Sequence, residues 1–123
     1  MIYLATPYSH EDSAIREYRF QQVNKAAAHL MHHGMHVFSP ISHSHPIAKE
    51  GDLPTGWDYW EAYDKSILEI CKRMIILTLN GWENSDGVKG EFELATTRGI
   101  PVGFMCPETY EIDWFVEEPK CAY

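Results

Sequence analysis

Residues 85–91, SDGVKGE, are the segment whose residue types and spacing best suit chemistry, because they lead from a predicted loop into a predicted helix. Ser85 is a favourable N-cap, and the amides around Gly87 can point at an anion or a hydroxyl. Glu91 lies about one turn further in, and Gly87 and Gly90 remove side-chain bulk so that a ring can approach its carboxylate. The alternative is an ordinary capped helix with Glu91 in solvent. Glycines weigh against it, because each costs about 1 kcal/mol in a helix relative to alanine.

Strand and helix patterns that must position this segment alternate along the chain. Short apolar runs predict strands at 1–5, 35–38, 74–79 and 100–105, and helical periodicity predicts helices at 12–33, 57–71 and 87–98. Residues 41–56 hold several prolines, glycines and turn formers, and we interpret them as an active-site loop. Pro107 begins a tail in which Trp114 and Phe115 either form a short helix that caps the sheet or make a subunit contact.

This alternation predicts one domain over residues 1–123. Short links favour right-handed crossovers, and hence a flavodoxin-like, doubly wound α/β sheet of four or five mainly parallel strands with helices on both faces. The hydrophobic share of 45% is enough for one core. Ligands of such sheets bind beyond the carboxyl ends of the strands, so the loops after Ala5, Phe38 and Leu79 should share one rim.

The composition excludes several partner classes. Eighteen acidic residues against 10 basic ones give a net charge of -8, which argues against binding to a large nucleic acid. Three cysteines without paired spacing fit neither a disulfide framework nor a tetrathiolate zinc site, so a reducing cytoplasm is expected. No apolar run is long enough to cross a membrane, and no signal peptide is recognised.

Three segments resemble the nucleoside 2-deoxyribosyltransferase superfamily, which includes the deoxyribonucleoside 5'-monophosphate N-glycosidases. The opening strand IYLA at 2–5, followed by TPY, is similar to the family's first strand and loop. Asp64, on the helix before the third strand, resembles a family aspartate that contacts the leaving base. Residues 81–87, GWENSDG, together with Glu91 and Ala95, look like the signature around the family's nucleophilic glutamate. The resemblance runs from about residue 1 to residue 102.

The resemblance implies an N-glycosidic bond enzyme that needs no cofactor. In this reading Glu91 attacks the anomeric carbon, Asp64 serves the leaving base and Tyr3 orients Glu91. The residues assigned to substrate binding are Thr6, Pro7, Tyr8, Ser85, Asp86 and Gly87. Because related enzymes complete their sites across subunits, a homodimer or higher homo-oligomer is expected.

Each assigned role has a structural alternative. Tyr3 could be a core tyrosine with a satisfied hydroxyl, and Asp64 could be a solvated helix acid near Lys65 and Lys72. The spacing between Asp86 and Glu91 differs by one residue from that of some family members.

Histidines and aromatic residues supply further candidates. His43 and His45 alternate in the predicted loop, which would place both imidazoles on one side of the rim to contact a sugar, base or phosphate; ordinary loop histidines are the alternative. Tyr8 and Trp82 lie in predicted loops and are candidates for stacking on a base. His29 shares a helix face with a second histidine, but no fourth ligand follows and no metal site is predicted.

The residues therefore favour an enzyme that acts on a nucleoside or nucleotide, with hydrolysis of a nucleoside monophosphate slightly preferred over transfer between bases. The alternative is a non-catalytic module that binds or sequesters a nucleotide, with Glu91 accepting hydrogen bonds from a ribose. A flavodoxin-type redox protein is less favoured, because the loop after the first strand lacks a run of donors for a flavin phosphate.

Overall fold

The computed structural model describes residues 1–115, which form one five-stranded sheet, four α-helices and a 3₁₀ turn. The strands are β1 (Ile2–Ala5), β2 (Val37–Phe38), β3 (Arg73–Leu77), β4 (Val102–Met105) and β5 (Ile112–Trp114). The helices are α1 (Ser13–His32), α2 (Pro40–Gly51), α3 (Trp57–Leu68) and α4 (Asp86–Thr97), and the 3₁₀ turn spans Trp82–Asn84.

The order of the strands in the sheet is β2-β1-β3-β4-β5. The first four strands run parallel and β5 pairs antiparallel with β4, so the predicted flavodoxin-like α/β fold with mainly parallel strands is confirmed. This order reverses between β1 and β3, and ligands of such sheets bind at that reversal, beyond the carboxyl ends of the strands. No helix within residues 1–115 is long and apolar enough to cross a bilayer.

Side-chain alternation along β1 divides the core into two halves. Ile2 and Leu4 point to one face, where α1 covers them, whereas Tyr3 and Ala5 point to the other face, where α3 and α4 pack. Successive strand residues point to opposite faces, so Tyr3 must face α4. Helices therefore cover both faces of the sheet, as predicted.

The predicted active-site loop at 41–56 is wrong for most of its length, because Pro40–Gly51 forms α2. Ser39 caps this helix by accepting from the Ser42 amide at 3.4 Å, and Pro40 occupies the first turn, where its missing N–H costs nothing. Proline at position 46 and the polar composition favoured a loop. Burial of Ser44, His45 and Ala48 outweighs that local preference.

Two further expectations need correction at the chain's later elements. Instead of a short helix, the tail forms β5, in which Ile112–Trp114 extends the sheet beside β4. Strand β3 ends at Leu77, two residues before its predicted end, and α3 ends at Leu68, three residues early. The residues that position the site are unaffected by these shifts.

Candidate active site

Glu91 occupies a position on α4 that an apolar residue would ordinarily fill. The buried residues of this helix are Val88, Glu91 and Ala95, spaced three and four residues apart on the face toward the sheet. Glu91 is 4% exposed. The hydroxyl of Tyr3, which is fully buried on β1, donates a hydrogen bond to Oε2 of Glu91. The buried face of α4 and the alternation of side chains along β1 thus bring together two residues that are 88 positions apart in the sequence.

Burial sets the protonation of this pair. Removal from water raises the pKa of Glu91 to about 8; the bond from Tyr3 opposes the shift and the nearby charge of Asp64 adds to it. Burial, and next the charge of Glu91, hold the pKa of Tyr3 well above its ordinary value of 10. Tyr3 is therefore a neutral donor at physiological pH, and its hydroxyl orients Glu91.

Asp64 is the second buried acid of the site. It is 5% exposed on the inner face of α3, and desolvation raises its pKa to about 7. Lys65, the next residue, turns away and pairs with Glu61 at 2.7 Å. The solvated-acid alternative for Asp64 is therefore wrong, because Asp64 is buried.

Glu91 and Asp64 open onto a cleft of about 410 Å³, a size common for small-molecule sites. The walls come from the loops after β1 and before α3, from the inner face of α3, and from the first turns of α2 and α4. Its lining residues are Thr6, Tyr8, Ser9, Ile41, Ser44, Thr55, Gly56, Trp57, Asp58, Trp60, Asp64, Asn84, Ser85, Asp86, Gly87 and Glu91.

Thr6 contributes a buried hydroxyl to this cleft. The residue is 5% exposed, and within residues 1–115 its Oγ1 is the one fully buried side-chain polar atom that has no hydrogen-bond partner. Leaving such a group unpaired costs about 1–3 kcal/mol. Because buried polar groups are nearly always hydrogen-bonded, the Thr6 hydroxyl is the exception in this cleft.

Trp57 explains the two glycines near the start of α4. A Cβ at Gly90 would lie 2.8 Å from the indole Cζ2 of Trp57, and one at Gly87 would lie 3.3 Å from its Cε3. The expectation that the space beside Gly90 is left for a substrate ring is therefore corrected: the protein's own indole fills it. Ser85 caps α4 as predicted, accepting from the Val88 amide at 3.2 Å.

Four residues assigned to substrate binding lie outside the lining of this cleft. Pro7 is fully buried, and Trp82 packs on Phe104 with ring centroids 5.4 Å apart. His43 and His45 sit on α2, not in an extended loop, so their predicted common side is wrong. His43 stacks on Tyr63, with its Nε2 2.8 Å from the hydroxyl of that tyrosine.

His45 belongs to a second cleft, which shares Tyr8 and Thr55 with the first. Its Nδ1 lies 2.6 Å from the Tyr8 hydroxyl and its Nε2 lies 2.9 Å from Oε1 of Glu17. A carboxylate can only accept, so Nε2 donates to Glu17, and Nδ1 makes the second hydrogen bond of the ring, with the Tyr8 hydroxyl. These two hydrogen bonds, between Tyr8 and His45 and between His45 and Glu17, hold the Tyr8 ring at the boundary of the two clefts.

Trp57, Asp58, Trp60 and Asn84 line the first cleft and were not assigned by sequence reasoning. Trp57 opens a helix directly after a predicted rim loop, which is a usable signal, but only aromatic residues within predicted loops were chosen as stacking candidates. In the described part of the chain, no cluster of three or more histidine, cysteine or acidic residues is arranged to hold a metal ion. The chemistry available to the cleft is that of two buried carboxyls with a tyrosine donor.

Similarity to known proteins identifies the family of this chain but not an activity. Residues 1–106 match the model of a family described as a domain of unknown function, DUF1937. Because this match covers most of the 123 residues, the chain belongs to that family. No curated protein matches the chain.

Proposed function

We propose that this DUF1937 domain cleaves or transfers the N-glycosidic bond of a nucleoside or nucleoside 5'-monophosphate, with Glu91 as nucleophile and water as the slightly preferred acceptor. The observation that carries the proposal is the arrangement of Glu91, buried in a cleft, held by the Tyr3 hydroxyl and accompanied by buried Asp64. The resemblance to the deoxyribosyltransferase superfamily supports the same three roles.

The first step forms a covalent ester. A carboxylate oxygen of Glu91 bonds to C1' while the bond from C1' to the base nitrogen breaks, and the electron pair leaves with the base. For an uncharged base, Asp64 donates the proton that neutralises the departing nitrogen. A pKa of about 7 leaves a substantial share of Asp64 protonated at neutral pH, which suits this donor role.

The second step releases the sugar. Water attacks C1' from the face that the base has left, Asp64 accepts a proton from the water, and the carboxylate of Glu91 departs. A second base in place of water would make the reaction a transfer. Tyr3 donates to one oxygen of Glu91 throughout, so it orients the nucleophile without giving up its own proton.

Product analysis tests the proposal. The purified protein is incubated with deoxyribonucleosides, ribonucleosides and their 5'-monophosphates, and free base is measured by chromatography. Release of base by the wild type and its loss in Glu91→Gln would support catalysis. Saturable binding of these compounds without released base would favour the non-catalytic module instead.

One observation specifically favours that second candidate. Burial raises the pKa of both Glu91 and Asp64, to about 8 and about 7, so that at pH 7 Glu91 is mostly protonated in the free protein. A protonated carboxyl donates a hydrogen bond well but does not attack carbon. Catalysis would therefore depend on the fraction of molecules in which Glu91 is ionised, and the pH dependence of turnover measures that fraction.

We also propose that the domain assembles as a homodimer or higher homo-oligomer. Trp114 and Phe115, at the β5 edge of the sheet, are 44% and 52% exposed, and such a surface favours a subunit contact. A molar mass of twice the chain or more by light scattering is expected at micromolar concentration. A monomer with intact activity would contradict the proposal.

A cytoplasmic setting for this activity is proposed as well. Cys71 and Cys106 are free thiols, and unpaired cysteines are usual where the compartment is reducing. Nucleosides and nucleotides are abundant there as small-molecule substrates. Localisation of a tagged full chain by fractionation would test this setting.

A further inference from the structure

The charge of the cleft is one-sided. Its lining contains four carboxylic acids, Asp58, Asp64, Asp86 and Glu91, and within residues 1–115 no lysine, arginine or histidine lines it. Asp58 and Asp86 are exposed at the mouth, whereas Asp64 and Glu91 are buried. A ligand entering this cleft therefore approaches ionised carboxylates first and buried carboxyls afterwards.

Cationic side chains near this region already have partners, and Arg19 donates to the carbonyls of Ser9 and Asn80, each at 3.2 Å. Arg16 donates to the carbonyl of His10, and Lys49 lies 3.6 Å from Glu17. A phosphate monoester carries about two negative charges near neutral pH. In the acidic cleft such a group would meet like charges without a cation to offset them, and the interaction is unfavourable at short range.

Thr6 gives a second and independent sign that a ligand completes the site. Thr6 is 5% exposed and is one of the residues that line the cleft, and its Oγ1 is fully buried without a hydrogen-bond partner. A hydroxyl both donates and accepts, so it suits an uncharged hydroxyl of a sugar. The site thus offers a neutral polar contact beside the carboxylates and no anion-binding contact.

We propose that this cleft selects a nucleoside that carries no 5'-phosphate and whose base bears a positive charge, such as an N-substituted pyridinium or an N-alkylated purine. The inference rests on the proposed function for its chemistry and on the charge of the lining for its selectivity. Ionised Asp58 and Asp86 attract the cationic base to the mouth, and Thr6 takes a sugar hydroxyl.

A positive base also makes the first chemical step easier in a buried site. The Glu91 carboxylate bonds to C1', the bond from C1' to the cationic nitrogen breaks, and its electron pair neutralises that nitrogen. One positive and one negative charge are consumed, giving a neutral base and a neutral ester, an exchange that low polarity favours. No proton from Asp64 is needed, so its carboxylate is free to accept the proton of the attacking water.

Three matched probes test the selectivity by isothermal titration calorimetry at pH 7 on the Glu91→Gln variant, which lacks the proposed nucleophile and so binds without turnover. Nicotinamide riboside has a cationic base, dihydronicotinamide riboside has nearly the same shape without the charge, and nicotinamide mononucleotide adds the 5'-phosphate. We expect the cationic nucleoside to bind at least about tenfold more tightly than either of the others. Equal or tighter binding of the mononucleotide or of the reduced nucleoside, or no binding by any probe, would overturn the proposal.

Substitutions locate the selectivity in the cleft. Asp58→Asn combined with Asp86→Asn should reduce the preference for the cationic over the reduced nucleoside by about fivefold or more, because two mouth charges are removed. Glu93→Gln, an exposed acid of α4 outside the lining, should leave the preference unchanged. An unchanged preference in the double variant would overturn the assignment to these carboxylates.

Thr6→Val separates a ligand contact from a structural role. Because the hydroxyl has no partner in the protein, its removal should not lower the melting temperature, while the affinity for nicotinamide riboside should fall about tenfold. A lower melting temperature with unchanged affinity would contradict the role of Thr6. Binding is measured without turnover, so failure of base release would count against the proposed function alone, and loss of charge preference against this inference alone.

Discussion

Glu91 and Glu17 are two glutamates in adjoining clefts that share the Tyr8 ring, yet their environments act in opposite directions. Burial raises the pKa of Glu91 to about 8, whereas the hydrogen bond from His45, followed by that from Gln21, lowers the pKa of Glu17. Glu17 is accompanied by a histidine and by Lys49; Glu91 has only a neutral tyrosine hydroxyl.

The difference shows which of the two carboxylates has partners of opposite charge or hydrogen-bond donors within the protein. A paired and partly hydrated carboxylate such as Glu17 has its charge balanced within the protein, and it fixes His45 and through it Tyr8. A buried acid without a cation is costly to ionise, and such groups concentrate at functional sites. The comparison therefore supports the proposal that the chemistry lies in the cleft of Glu91, whereas the cleft of Glu17 has a structural role.

Removing the two carboxylates separately should give the largest contrast. Glu91→Gln is expected to lower turnover by at least about 100-fold, since the nucleophile is lost, while the amide keeps the bond from Tyr3. Glu17→Gln should lower turnover by less than about fivefold, because His45 keeps an acceptor. Glu93→Gln serves as a control for α4. Steady-state rates of base release measure all three, and comparable activity of Glu91→Gln would remove the nucleophile role.

The pH profile of kcat/KM for an uncharged nucleoside should be the next largest effect. Attack needs ionised Glu91, so activity falls below its pKa of about 8, and protonation of the base needs protonated Asp64, so activity falls above its pKa of about 7. The result is a bell with its maximum between about pH 7 and 8, falling about tenfold per unit on each side. In Asp64→Asn the alkaline fall should disappear. A flat profile from pH 5 to 9 would contradict these roles.

Changing one glycine behind the wall of each cleft should have a smaller effect. In Gly90→Ala the new methyl would lie 2.8 Å from the rigid indole of Trp57, so the wall of the acidic cleft must shift, and turnover should fall about tenfold. Gly51→Ala, beside the second cleft, brings a methyl only to 3.6 Å from Leu53 and should leave turnover within about twofold. Equal rates of turnover for the two variants would contradict the claim that only the acidic cleft takes part in the reaction.

Stability should respond to pH by a few degrees. A carboxyl whose pKa is raised in the folded state stabilises that state below its unfolded pKa and loses the contribution as pH rises through the folded pKa. For Glu91 this window runs from its ordinary value of 4.5 to about 8, so the melting temperature should fall across it. In Glu91→Gln the fall should be smaller, and the variant should melt several degrees above the wild type at pH 8. A wild-type melting temperature that rises from pH 5 to 8 would contradict the burial of the acid.

Local patterns in the sequence predicted the elements that carry the candidate site. A short apolar run placed Tyr3 on a buried strand, and the Ser85 cap placed Glu91 about one turn into a helix. The tertiary contacts could not be read this way. Trp57 meets Gly90 across two helices, and α2 forms despite Pro46 because its buried side chains pack against other elements. The pairing of Glu17 with His45 across 28 positions depends on that same helix.

Trapping the glycosyl intermediate tests the role of Glu91 most directly. A 2-fluoro sugar nucleoside with a reactive leaving group slows both steps, so that the covalent ester accumulates for intact-mass and peptide analysis. The account predicts a mass increase equal to one fluorinated sugar, carried by the peptide that contains Glu91 and absent from Glu91→Gln. An adduct on any other residue, or inversion at C1' during measurable turnover, would contradict nucleophilic attack by Glu91.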